Sequence, residues 1–236
     1  MLILAGIENN NDGRSIAWAL EHPGCFAYGE EGQAALANLQ PALHNYAAWI
    51  MRHEPAPWLD LSGQEVEFFI DGTWEVYNID DDMRRTDKQD TYSVESFYPL
   101  EWKPVTSLEI THALLMLEWS RQDLLDDIRD LSPEKLEKNY PGERWSINGI
   151  LKHVGGAEWW YLDRLGMAFP REDVPADPLE RLEKVRQHLN ATLPSLAGVE
   201  QVIGKSGELW SPRKLLRRAL WHERDHVEHI RKLLPR

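Results

Sequence analysis

Residues 220–234 read LWHERDHVEHIRKLL, and three of the chain's nine histidines, His222, His226 and His229, fall within eight of these positions. Residues three, four and seven apart share one face of an α-helix. Leu215, Ala219, His222, His226, His229 and Leu233 follow one another at steps of four, three, four, three and four. The histidines thus extend an apolar stripe, and the periodicity that buries the leucines also turns them inward. A rise of about 1.5 Å per residue puts His222 and His226 roughly 6 Å apart along the axis, so both can reach one metal ion.

A core-facing helix needs partners, and the preceding sequence supplies three. One runs from about 107 to 130, with Ile110, Leu114, Leu117, Leu124, Leu125 and Ile128 as its stripe. A second runs from Ser146 to about 166, a third from 178 to 193, and the histidine helix from Ser211 to about 234. The second and fourth open alike, with RWSINGI (144–150) and LWSPRKL (209–215). In each, a serine caps the first turn while Trp145 or Trp210 packs on Ile150 or Leu215 as a hydrophobic staple. Pro212 suits the first helical position. Arg213, Lys214, Arg217 and Arg218 read as a solvated basic turn and a half.

His153 lies three residues after Ile150 and four before Ala157, at the core face of the second helix. The segment MAFPREDVPADP (167–178) is long enough to carry the chain back along the bundle, so helices two and four can run antiparallel. His153 then lies level with His226, and three imidazoles converge. Three protein ligands leave a fourth position for water or substrate, the catalytic pattern for zinc. Zinc, nickel and iron all accept imidazole. His229, Glu223 and His112 are the alternative or supporting ligands, and Glu118, Glu158, Asp163 and Asp225 are carboxylates that can orient ligand imidazoles. HERDH (222–226) is a literal HExxH, the zinc-helix pattern of metalloproteases. The protease reading is set aside, because that architecture places a sheet beside the motif and a third ligand beyond it.

The first half differs in composition. Residues 1–105 hold 18 acidic against 6 basic side chains, a net −12, while residues 106–236 hold 21 against 20, a net −1. An acidic surface disfavours direct nucleic-acid binding, which needs a positive field, and favours a basic protein partner. MLILAGI and GRSIAWAL read as strands, and residues 30–53 have helical spacing that Pro41 should kink or divide. QEVEFFIDGTWEVYNI (64–79) reads as a hairpin turning at Asp71-Gly72. Residues 1–80 are thus an α+β domain, 81–105 a polar and then aromatic connecting segment, and 106–236 an all-α four-helix bundle. One cysteine, Cys25, excludes a disulfide framework. No apolar run is long enough to cross a bilayer, and the N-terminus lacks a basic signal-peptide region, so a cytoplasmic protein is expected.

ERWSINGILKHVGGAEWW (143–160), LWHERDHVEHI (220–230) and LLDDIRDLSPEKL (124–136) resemble the DinB-like metal-binding four-helix bundles. The resemblance implies an up-down-down-up bundle whose divalent metal is held by His153, His222 and His226. Members of that family include thiol-dependent S-transferases and a thiol-dependent isomerase, which implies a thiol-dependent transferase or a hydrolase acting on a small molecule, with a low-molecular-weight thiol as cosubstrate; a homodimer is a separate expectation. Residues about 1–53 look like a HicB-like domain on the pattern GRSIAWALEHPGCFAYGEEGQAALANLQPALHNYAAWI (13–50); members of that family are antitoxins that bind a small basic ribonuclease. The alternative function is therefore a regulatory protein with an acidic HicB-like docking domain and a structural metal.

Overall fold

The computed structural model describes residues 1–80 and 91–234. They form two compact units, one of Met1–Lys103 with Glu200–Lys214, the other of Pro104–Val199 with Leu215 onward.

The first unit is α+β. Strands β1 (Leu2–Asn11), β2 (Arg14–Ala19) and β3 (Phe26–Gly29) precede helix α1 (Gly32–His53), and β4 (Glu67–Glu75) follows it. The sheet order is β3-β2-β1-β4, with β4 parallel to β1 and the other pairs antiparallel. Helix α1 buries Ala35, Leu39, Leu43, Tyr46, Ala47 and Ile50, the face its spacing predicts. It is continuous through Pro41. Pro41 removes the bond to the Ala37 carbonyl, but both residues are on the exposed face, where water can replace it.

The hairpin expected at Asp71-Gly72 does not form. Residues 67–75 make one strand along β1, with a register shift that leaves Asp71 as the extra residue. Asp71 accepts a hydrogen bond from the Leu100 N–H at 2.9 Å. The hairpin dipeptide is the other Asp-Gly, Asp12-Gly13, whose φ values of 51° and 78° suit the tight turn between β1 and β2. Gly6 and Gly72 flank the buried Tyr98, and a Cβ on Gly6 would stand 2.5 Å from its ring.

Residues 81–90 of the expected connecting segment lie outside the described residues. Beyond them the chain is more ordered than a loop. Strands β5 (Tyr77–Asp80) and β6 (Thr91–Val94) pair antiparallel. Ser96 then donates its N–H and hydroxyl to the buried Glu8 carboxylate.

Strands β7 (Ile203–Lys205) and β8 (Glu208–Trp210) form a small hairpin through Ser206-Gly207, both at positive φ. Within the same unit the Lys214 ammonium lies 2.5 Å from Glu208, both side chains buried, and Trp210 also donates to Glu208 at 2.9 Å. The basic turn read as solvated is therefore buried: Arg213, Lys214, Arg217 and Arg218 are each at most 8% exposed.

The second unit is helical: α2 (Ser107–Ile128), the single turn α3 (Pro133–Leu136), α4 (Ile147–Arg164), α5 (Pro178–Thr192) and, from Leu215 on, α6 (Pro212–Leu233). Thr106 and Glu109 cap α2 reciprocally, Ser146 accepts from the Gly149 N–H at 3.2 Å, and Asp177 caps α5 ahead of Pro178. One apolar core joins Leu124 and Ile128 of α2, Ile147, Ile150, Leu151 and Val154 of α4, Leu182 of α5, and Val227 and Ile230 of α6. Trp145 packs against this core as its staple position requires. None of the described helices is long and apolar enough to cross a membrane.

Candidate metal centre

Helix α6 has two neighbouring inward stripes. The deeper one is Leu216, Leu220, Glu223, Val227 and Ile230, all at most 3% exposed. The histidine stripe beside it is buried at Leu215, Ala219, His222 and His226 and half-buried at His229 and Leu233. The histidines therefore sit at the edge of the core, where a ring can be desolvated on one side and reach an opening on the other.

His153 of α4 meets His222 and His226 there, and one ligand atom from each of the three lies within 4.8 Å of the others. The Nε2 atoms of His153 and His222 are 2.9 Å apart, and the ring centroids of His222 and His226 are 4.5 Å apart. His222 and His226 are buried and His153 is partly exposed. Trp145 stacks on His153 with centroids 4.5 Å apart, and Arg144 lies over the other ring of that pair, Trp145, at 4.7 Å. Tyr161 and Trp221 meet the His222 ring edge-on.

The electrostatics keep these rings neutral. Burial pushes His153 below its ordinary value, with Arg144 adding to the effect. Burial also pushes His222 well down, reinforced by His226, His153 and Arg218, and it lowers His226 to about 3, helped by His153 and His229. Neutral imidazoles keep the lone pairs that metal coordination requires. Among the described residues the buried Nδ1 of His226 has no hydrogen-bond partner, an arrangement that costs free energy unless an acceptor role is filled. In a tetrahedral zinc site with Zn–N near 2.0–2.1 Å, ligand nitrogens stand roughly 3.3 Å apart. The 2.9 Å between His153 and His222 and the 4.8 Å limit over all three bracket that spacing, and the three residues fit a divalent ion.

The other residues considered from sequence are placed differently. His112 of α2 is not a member of the cluster. His229 pairs with Glu143 at 2.8 Å. Glu223 is committed elsewhere: Oε1 accepts from Arg121 Nε at 2.6 Å and Oε2 from Arg186 at 2.7 Å. Burial alone would raise its pKa, but the two guanidinium charges outweigh burial and hold it at about 2. A carboxylate so fixed does not serve as the general base of an HExxH helix. Glu158 completes the network, 2.7 Å from Arg186 and 3.4 Å from Arg121. Arg121 and Arg186 were not singled out by their sequence context. The signal was nonetheless there: each replaces an apolar residue in a helical stripe, Leu117-Arg121-Leu124 and Leu182-Arg186-Leu189.

Residues 116–230 match the DinB superfamily. The matched DinB segment contains all three clustered histidines and both arginines of the buried network. No curated protein and no solved structure matches the chain.

Proposed function

We propose that this protein is a divalent-metal-dependent enzyme of the DinB-like class, with His153, His222 and His226 as the metal ligands. The observation that carries the reading is the convergence of three neutral imidazoles from two helices, one with a buried nitrogen that lacks a partner among the described residues. An ion bound there supplies Lewis-acid chemistry, lowering the pKa of a thiol or water at its remaining position. Zinc, nickel and iron suit an all-imidazole set. The histidines contribute neutral donors, Trp145 fixes the plane of His153, and the partly exposed side of His153 admits a small substrate. Following the resemblance, the reaction is a thiol-dependent transfer or a hydrolysis, in an up-down-down-up bundle.

Metal analysis of the purified protein beside His226→Ala tests this. The reading expects about one bound ion per chain and its loss in the variant, because removing one of three ligands destroys the site. Equal metal content in the two proteins would refute it.

The second reading is a regulatory protein in which a HicB-like first domain docks a basic partner. It is supported by the net −12 over residues 1–105. Pull-down with the full chain, repeated at high salt, tests it; salt-insensitive recovery or no basic partner would count against it.

A further inference from the structure

The buried ion network has an ordered distribution over the helices. Helices α4 and α6 carry the histidines, and the same two carry the carboxylates Glu158 and Glu223. Helices α2 and α5 carry the cations, Arg121 and Arg186. Each guanidinium bridges both carboxylates. Arg121 donates to Glu223 at 2.6 Å and reaches Glu158 at 3.4 Å. Arg186 donates to Glu158 and to Glu223, each at 2.7 Å. The remaining donors cross between the two arginine helices: Arg121 of α2 bonds the Leu182 carbonyl of α5 at 2.7 Å, and Arg186 of α5 bonds the Leu117 carbonyl of α2.

We propose that Arg121 and Arg186 are positioning residues of the histidine centre. They clamp α4 to α6 and so set the separation of His153 from His222 and His226; the proposal rests on the metal reading above. The lever arm is short. Glu223 directly follows His222 and is one turn from His226, and Glu158 is five residues beyond His153. A guanidinium fork fixes distance and angle to each carboxylate, which apolar side chains of equal volume do not. Buried ion pairs add little net stability, because desolvation offsets their attraction, so stability alone does not explain four charges on four core stripes. Metal sites respond to displacements of a few tenths of an ångström, which makes register their most sensitive output.

Arg121→Lys tests the clamp. It keeps the charge, loses the fork, and leaves Arg186 bridging both carboxylates, so the fold persists. The control is Leu124→Ala, which opens a cavity on the same helix at a fully buried site. Three readouts are taken: zinc affinity, the visible spectrum of the cobalt-loaded protein, and the ring resonances of the three histidines in metal-free protein. For Arg121→Lys we expect zinc affinity to fall about ten-fold or more, the usual scale for residues that orient ligands. The cobalt bands and ring resonances shift with it. Leu124→Ala lowers the unfolding midpoint but leaves all three readouts near wild type. The clamp is refuted if Arg121→Lys binds zinc like wild type with unmoved resonances, or if Leu124→Ala moves the readouts equally. Should Arg121→Lys not fold, the charge-balanced Arg121→Gln/Glu158→Gln, which keeps Arg186 on Glu223, is read the same way. If wild type takes up neither zinc nor cobalt, the metal reading falls, while the metal-free resonances still decide whether the arginines position the rings.

Discussion

The Nε2 atoms of His153 and His222 face each other across 2.9 Å, from residues 69 apart in the chain. Between two neutral rings this is a single N–H···N hydrogen bond, the ring protonated at Nε2 donating to the other. An ion shared between them and His226 would instead take a lone pair from each of the three rings.

Metal should stabilise the fold. Zinc that binds the native state alone, at a hundred times its dissociation constant, adds about 2.7 kcal/mol. Thermal melts with zinc and with a chelator should therefore differ in wild type and coincide in His226→Ala. Coincident melts in wild type would contradict a site in the native state.

The metal-free protein should lose stability as pH falls below 6.5. His226 is held at about 3 when folded against 6.5 as its ordinary value, so between these limits the unfolded chain binds more protons and stability rises with pH. At pH 5 the deficit from this group is about 2 kcal/mol relative to pH 7, from roughly 1.4 kcal/mol per unit. His153 and His222 shift in the same direction and add to it. Urea titrations in chelator from pH 7 to 5 should show this slope, and His226→Gln should flatten it. Identical slopes would count against a buried neutral ring.

Within the first unit, Lys214→Met should be severe. It removes the buried ammonium that lies 2.5 Å from the buried Glu208 carboxylate. Removing one partner of a buried pair costs about 3–5 kcal/mol, whereas replacing both is often neutral. Chemical denaturation of Lys214→Met beside Lys214→Met/Glu208→Gln should show a large loss in the first and substantial recovery in the second. A mild effect of the single change would mean that the pair is more hydrated than its burial indicates.

The helices and the histidines were legible because both follow one rule. A period near 3.6 picks out the faces, and Ser146 and Pro212 mark helix starts with residues whose local chemistry suits a first turn. The two Asp-Gly turns were not separable that way. Asp12-Gly13 turns the chain while Asp71-Gly72 continues a strand, and the difference depends on pairing with β1 and on the Tyr98 ring, which are distant in sequence. The buried basic turn and the arginine network were missed for a related reason. A charge on a helix is ordinarily solvated, and its burial depends on opposite charges from other helices. The stripe positions of Arg121, Glu158, Arg186 and Glu223 carried that information, but only when all four helices are read together.

Zinc-edge anomalous diffraction from crystals of the zinc-loaded protein tests the central claim most directly. The account predicts one strong peak bounded by the ring nitrogens of His153, His222 and His226, each at about 2.0–2.1 Å. A zinc-loaded crystal with no peak among these rings, or with the ion held by other side chains, would contradict it.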